Sequence, residues 1–300
     1  IWRVWMKIRI GTRSSKLALI QSYYLRDLLL KQGDEVEIIE VSTIGDRIRN
    51  KKIEDINKKG VFVRDIEQKL LENEIDLALH SLKDMPSDID SRLTFASPPA
   101  SADPRDVFIG KSISSLNEMK GLRIGTGSSR RISQLKCIVA DANPVPIRGN
   151  IDTRIKKIET ENLDGVILAK AGIDRMKRSN EISLILDPKL FIPSPCQGIL
   201  GLEIRKEDRS LLKKLETISD PDTSKRMNIE RTFQTSLGAS CTSPLGIYTE
   251  FNSNRVNLYG CFSNGLDSEI YYRNISGDIS QAETLAIKLA NKLREDVGEK

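Results

Sequence analysis

Apolar positions along this 300-residue chain alternate between strand and helix spacing. Lys7-Ile8-Arg9-Ile10 alternates like a short strand, and Gly11-Thr12-Arg13-Ser14-Ser15 breaks the pattern. Leu17, Ile20, Tyr24, Leu25, Leu28 and Leu29 then recur at helical spacing up to Gly33. Val36 to Val41 supplies a second strand, so the chain opens β-α-β. Thr43 to Gly60 carries neither period. It is polar, basic and glycine-containing, and loops of this length inside compact domains are functional or disordered. Val61 to Leu71 predicts an amphipathic helix with Phe62, Ile66, Leu70 and Leu71 on one face. Leu77-Ala78-Leu79 is a continuous apolar run, which predicts a buried strand, and Pro86 closes the polar cluster that follows it.

Beyond Pro86 the prolines at 98, 99 and 104 predict a hinge, with Asp103-Pro104-Arg105-Asp106 at its end. The opening pattern then returns. Leu122-Arg123-Ile124-Gly125-Thr126-Gly127-Ser128-Ser129 echoes Ile8 to Ser15, and Asp164-Gly165-Val166-Ile167-Leu168-Ala169 echoes Asp76 to Ser81. Two related α/β halves are expected around a cleft, a favoured place for a ligand. Ile199 to Ile204 predicts a strand that crosses back into the first half. A helix from Asp208 to Ile218 and another beginning at Pro221 follow it. Ile247 to Thr249, Arg255 to Phe262 and Glu269 to Ile275 alternate as strands, and Ala282 to Leu293 predicts a closing helix. Three strands and a helix make a small α+β domain of about 80 residues.

Composition narrows the classes. The chain is 39% hydrophobic and 30% charged, with a net charge of +5 and a pI of about 8.9, so it can bury cores and favours an anionic partner. No apolar run reaches the length of a membrane span. The first residues lack the features of a signal peptide, so the expected compartment is the cytoplasm. The four cysteines, Cys137, Cys196, Cys241 and Cys261, form no C-x-x-C pair, and His80 is the single histidine, which argues against zinc or iron–sulfur sites and against any metal centre. Only 5% of residues are aromatic, and no stacking platform for nucleic acid is visible.

The candidate chemistry lies at element ends. The 77–86 stretch is expected to deliver His80, Ser81, Lys83 and Asp84 to one place, at the carboxyl end of a strand where α/β sheets bind ligands. A carboxylate there can steady a developing cation or accept a proton. Arg130 and Arg131 fall in the first turn of a helix, where cations oppose the macrodipole, so a binding role is the better explanation for them. Arg148-Gly149-Asn150 precedes another helix that carries Arg154, and Arg175 follows the second echo. Arginine suits bidentate carboxylate capture. Cys241 sits in a turn of small residues, accessible to chemistry or else merely a half-buried small residue. Three readings remain open on the residues alone. One is a solute-binding or sensor module of the same shape with no chemistry. Another is a pyridoxal phosphate enzyme with a Lys83 Schiff base. The third is an enzyme that uses Asp84 and Cys241.

His80-Ser81-Leu82-Lys83-Asp84-Met85-Pro86, the Arg130-Arg131 helix start, Arg148-Gly149-Asn150 with Arg154, Gln197-Gly198 and the Ser240-Cys241 turn together resemble the porphobilinogen deaminase (hydroxymethylbilane synthase) family, in order and over nearly the whole chain. The resemblance implies two α/β domains like those of type II periplasmic binding proteins around a cleft, with a small C-terminal α+β domain. The implied domains are 1–99 with 199–217, then 104–193, then 221–300. It implies a transferase of tetrapyrrole biosynthesis that condenses four porphobilinogens head to tail, releases ammonia and yields hydroxymethylbilane. The implied cofactor is a dipyrromethane joined to Cys241 by a thioether, with Lys83, Ser81, Ser128, Arg130, Arg131, Ser15 and Gln197 as its contacts. Asp84 becomes the catalytic carboxylate. Arg13, Arg148, Arg154 and Arg175 become the substrate's carboxylate ligands, and Asp46, Lys59 and Phe62 belong to a mobile loop. A cytoplasmic monomer with porphobilinogen as its partner, and with no nucleic acid or membrane, is expected. Gly127 departs from the family's Thr-Ser-Ser turn, and Ala239, Ser243, Asn57 and Lys58 depart elsewhere.

Overall fold

The computed structural model describes residues 5–41, 63–238, 243–266 and 268–298. Asp46, Lys59, Phe62 and Cys241 lie outside the described residues. In chain order the first elements are β1 (Lys7–Arg13), α1 (Lys16–Lys31), β2 (Glu35–Val41), α2 (Arg64–Leu71), β3 (Leu77–Ser81), β4 (Leu93–Ala96) and β5 (Asp106–Gly110). They are followed by β6 (Arg123–Gly125), α3 (Ser129–Ile138), β7 (Asn143–Val145), α4 (Ile151–Thr160), β8 (Gly165–Ala169), α5 (Lys170–Arg175) and β9 (Leu184–Ile185). The last are β10 (Leu200–Arg205), α6 (Arg209–Glu216), α7 (Pro221–Leu237), β11 (Leu245–Asn252), β12 (Arg255–Phe262), β13 (Tyr271–Asp278) and α8 (Ala282–Asp296). The chain divides into two compact units, Ile1–Ser101 with Ile199–Ser224 and Ala102–Gly198 with Lys225–Lys300.

In the first unit the sheet order is β2-β1-β3-β10-β4, with β1 parallel to β2 and β3, and β10 antiparallel to β3 and β4. Both faces of the sheet are covered, which is why β3 is a continuous apolar run. Leu77 and Leu79 face one cluster with Ile8, Ile10, Leu25, Leu202 and Leu211, while Ala78 faces the other with Val41, Ile66, Leu70 and Leu93. Each fully buried leucine contributes about 1.5–3 kcal/mol. Ser15 caps α1 by accepting from the Ala18 N–H at 3.4 Å, and Gly33 at φ +86° ends the helix.

The second unit repeats this plan in the order β7-β6-β8-β5-β9. Gly11 pairs Ala78 where β1 meets β3, and Gly125 pairs Val166 where β6 meets β8. The Arg9 N–H donates to the Asp76 carboxylate at 2.9 Å, and the Arg123 N–H donates to Asp164 at 2.7 Å. The sequence echoes are therefore matching strands held by the same clip. This unit also holds the antiparallel sheet β11-β12-β13, covered by α8 through Leu285, Leu289 and Leu293. The architecture is thus two related α/β sheets plus a small α+β portion, as the sequence implies. The stretch from Pro86 to Asp106, expected as linker, instead contains β4 and the start of β5. Strands of 4 and 5 residues among prolines are too short to carry a visible period.

Candidate functional site

In the first unit several of the residues expected at the site, Arg13, Ser15, Ser81, Lys83 and Asp84, lie at the carboxyl end of adjacent parallel strands β1 and β3. Arg13 is the last residue of β1, half-buried, and Ser15 opens α1 just beyond it. β3 ends at Ser81, and Leu82–Asp84 forms a single 3-10 turn. Leu82 and Met85 are both 1% exposed, and they anchor the turn from inside. The Leu82 N–H donates to the Ile199 carbonyl at 3.1 Å, and the Met85 N–H donates to the Leu82 carbonyl at 3.1 Å. Between these anchors Lys83 is half-buried and Asp84 is exposed. The carboxylate is therefore carried on a fixed turn rather than a loose loop. Ser81 Oγ accepts from the buried Gln21 side chain, whose Nε2 lies 3.1 Å away. Sequence reasoning gave Gln21 no role, since it sits on the apolar-patterned α1.

His80 is a correction. The sequence groups it with Ser81, Lys83 and Asp84, but side chains alternate along a strand, so His80 points away from Ser81. It is 8% exposed, and its Nε2 lies 2.9 Å from Oε2 of Glu203, which is 0% exposed on β10. The histidine belongs to a buried pair behind the turn.

In the second unit the helix-start arginines do meet, around a carboxylate that the sequence reading left in the linker. Asp106, fully buried, accepts from Arg130 Nη2 at 2.8 Å, Arg131 Nη2 at 2.8 Å and Gln197 Nε2 at 2.9 Å. Arg130 also donates to the Ile192 carbonyl, and Arg131 to the Ile167 carbonyl at 3.0 Å. Burial alone would raise the Asp106 carboxyl, but the charges of Arg130 and Arg131 and the hydrogen bonds from Arg131 and Gln197 hold it well below the usual carboxylate range. Two guanidinium charges face this single carboxylate charge. The Nε atoms of Arg130 and Arg131 are buried with no hydrogen-bond partner among the described residues. Among these three groups one unit of positive charge is left over, which suits an anionic ligand.

Ser128 stands at the start of α3 without capping it through its side chain, and its N–H donates to the buried Thr126 Oγ1 at 3.3 Å. A Cβ on Gly127 would lie 2.5 Å from the Ile147 carbonyl oxygen, which accounts for glycine at this departure from the family turn. Arg148 is exposed just before α4, whose Asn150 cap accepts from the Thr153 N–H at 2.9 Å. Arg154 Nε donates to the Gly149 carbonyl at 2.7 Å, so Arg148 and Arg154 flank one turn. Arg175 Nη2 donates to the Gly198 carbonyl at 3.0 Å, which joins Arg175 to the Gln197-Gly198 segment. Gly198 sits at φ +92°, and a Cβ there would meet the Ala102 carbonyl oxygen at 2.4 Å, so the motif's glycine is required by the backbone.

Two of the other cysteines are walled in. Cys196 is 1% exposed, with its N–H donating to Glu230 at 2.6 Å, and burial pushes its thiol up. Burial also pushes the Cys261 thiol up to about 12. Both are poor nucleophiles. Glu230, missed by sequence reasoning because it lies within a helix, is 3% exposed, and burial raises it to about 7. Among the described residues no group of three or more His, Cys, Asp or Glu could hold a metal ion, and no helix is long and apolar enough to cross a membrane.

Residues 8–213 match the sequence profile of the porphobilinogen deaminase dipyrromethane-cofactor-binding domain, and residues 224–295 match that of the porphobilinogen deaminase C-terminal domain. The chain is 40% identical over 289 residues to a porphobilinogen deaminase of Clostridioides difficile, covering 95% of this chain and 96% of that one. It is 39% identical over 299 residues to that of Clostridium novyi, covering 97% and 100%. Among solved structures, an L-cystine solute receptor of Neisseria gonorrhoeae superposes with a TM-score of 0.43 at 16% identity, over 74% of this chain and 86% of that one.

Proposed function

The chain belongs to the porphobilinogen deaminase family, and from that premise we propose which of its residues carry each part of the chemistry. The enzyme is a transferase of tetrapyrrole biosynthesis. It condenses four porphobilinogens head to tail, with loss of ammonia, into hydroxymethylbilane on a dipyrromethane primer. When bound, the dipyrromethane supplies the pyrrole end to which new units are added. Cys241 is the residue that holds it.

The residues of the chain fit such a group. Dipyrromethane and porphobilinogen both carry carboxylates, and the arginine cluster around Asp106 has a surplus positive charge. We assign Arg130, Arg131, Lys83, Ser81, Ser128, Ser15 and Gln197 to the cofactor. Asp106 holds the two guanidinium groups and itself accepts from Gln197, and Gln21 holds the Ser81 hydroxyl. Arg13, Arg148, Arg154 and Arg175 are assigned to the carboxylates of incoming substrate. Each guanidinium offers a planar fork suited to a carboxylate, so these residues orient as well as bind.

Asp84 is the catalytic carboxylate. As ammonia leaves porphobilinogen, the substrate pyrrole becomes electron-poor and positive charge develops at its N–H. A fixed Asp84 carboxylate near that N–H would stabilise the charge, and it could accept the proton lost when the new C–C bond is complete. The observation that carries this reading is the placement of Asp84, exposed on a turn whose two neighbouring anchors, Leu82 and Met85, are buried. A three-domain partition (1–99 with 199–217, 104–193, 221–300), a monomeric state without nucleic-acid partners and a cytoplasmic location complete the proposal. The test is Asp84→Asn. Turnover should fall by about 10²–10³-fold, the range for losing one preorganised electrostatic contact, while the melting temperature stays within a degree or two. Turnover within threefold of wild type would remove Asp84 from the chemistry.

A further inference from the structure

Behind the Asp84 turn lies a buried charged cluster that the assigned chemistry does not use. His80 Nε2 and Glu203 Oε2 are 2.9 Å apart, both inside the first unit. A hydrogen bond therefore joins the end of β3 to β10 through these two side chains. The other Glu203 oxygen, Oε1, is buried with no partner among the described residues. Glu67 on α2 faces the same pair. Burial raises it to about 7, Glu203 adds to the rise and His80 opposes it, with Asp90 from the loop before β4 and Arg64 on its own helix contributing less. A buried polar pair that leaves one oxygen unsatisfied is a poor way to stabilise a sheet, and a pair of apolar side chains often serves as well or better.

Its position suggests what the pair does instead. His80 lies opposite Gly201, and Ser81 opposite Leu200, where β3 pairs β10. One step further the Leu82 N–H reaches the Ile199 carbonyl at 3.1 Å. A Cβ on Gly201 would come within 3.1 Å of Leu82 Cδ1 and 3.6 Å of His80 Cβ, so β10 is in close contact with the strand end and the turn together. The His80–Glu203 hydrogen bond is directional, whereas the apolar contacts around it are not. It adds a directional side-chain tie between β10 and the residue two positions before Leu82.

We propose that Glu203, acting through His80, is a positioning residue that aims the Asp84 turn. The inference rests on Asp84 being the catalytic carboxylate, and a misaimed turn should impair turnover more than binding. A misplacement of about 1 Å can cost up to a hundredfold in rate. Glu203→Leu holoenzyme should therefore lose about ten- to a hundredfold in kcat, with KM for porphobilinogen within about twofold. Its intact mass should retain the cofactor. Glu203→Gln, which keeps the shape and can still hydrogen-bond the imidazole, should recover most of the loss.

His80 is the only histidine, so a ¹⁵N spectrum of ring-labelled holoenzyme reports on this one imidazole without assignment. Wild type should show a hydrogen-bonded Nε2, and Glu203→Leu should lose that signature. If Glu203→Leu does not fold, His80→Asn carries the same kinetic comparison. The proposal is overturned if the imidazole signature changes while kcat stays within twofold, or if KM rises in step with the loss of kcat. Asp84→Asn measured alongside separates the two readings. Full activity in that variant removes the catalytic assignment, whereas its failure beside an active Glu203→Leu removes only the positioning role.

Discussion

Asp106→Asn is the sharpest perturbation of the arginine cluster, because it removes a charge and almost no volume. Asp106 is fully buried and accepts three hydrogen bonds of 2.8, 2.8 and 2.9 Å from Arg130, Arg131 and Gln197. Arg130 and Arg131 are themselves only 4% and 5% exposed. The variant leaves two guanidiniums buried without a counter-charge, and the new amide turns an N–H toward a donor. Breaking a buried pair in this way costs about 3–5 kcal/mol, which corresponds to a fall in melting temperature of the order of 10 °C. Gln197→Leu removes a neutral amide that donates to Asp106 and to the Pro104 carbonyl, leaves the charges in place, and should cost less, about 1–3 kcal/mol.

The pH dependence gives an independent check on the same residue. The folded carboxyl of Asp106 titrates below its unfolded value of 3.8, so its contribution is complete above about pH 4 and is lost as pH falls further. The gap between wild type and Asp106→Asn should therefore be full at pH 7 and narrow below pH 4. Urea unfolding followed by circular dichroism measures both. A gap under about 1 kcal/mol at pH 7, or one that does not narrow in acid, would refute the claim that this carboxylate holds the arginines in place.

Three further outcomes follow from the geometry. Glu230 is raised from 4.5 to about 7, so the folded state holds its proton more tightly and stability falls as pH rises between those values. The upper bound is about 3 kcal/mol, and Glu230→Gln should be more stabilising, relative to wild type, at pH 8 than at pH 5 in paired denaturant titrations. Glu67 is raised to about 7 in the same direction, but its partial exposure reduces its share through screening. Gly198→Ala meets both a φ of +92° and the Ala102 carbonyl at 2.4 Å, so it should lose more than about 2 kcal/mol in the same assay and disturb the carbonyl that Arg175 holds.

Local pattern carried much of the fold. The alternation of Ile8 and Ile10, the Gly/Ser break and the helical repeat of Leu25 and Leu29 are enough to predict β1 and α1, which run Lys7–Arg13 and Lys16–Lys31. The strand expected from Arg255 to Phe262 is β12 with those bounds, and Pro221 does begin a helix. The echo of Ile8 to Ser15 in Leu122 to Ser129 marked two sheets with the same strand order. What the sequence hid is contact at long range. His80 looked like a site residue because its partner Glu203 is 123 positions away and arrives only after the chain crosses back. Arg130 and Arg131 stand out as misplaced helix-start cations, but Asp106, the first residue of a short strand just after a proline, carries no sign that it is buried against them. Gln21 and Glu230 were likewise hidden inside helical patterns, since burial of a polar residue depends on what packs over it.

The measurement that tests the central claim most directly is the intact mass of the purified protein beside that of a Cys241→Ser variant. A surplus equal to two linked pyrrole units on wild type, absent from the variant, is the predicted result, and wild type purified without it should gain mass on incubation with porphobilinogen. Wild-type protein that stays unmodified after that incubation, or a Cys241→Ser variant that carries the same surplus, would contradict the assignment of Cys241 as the residue that holds the dipyrromethane primer.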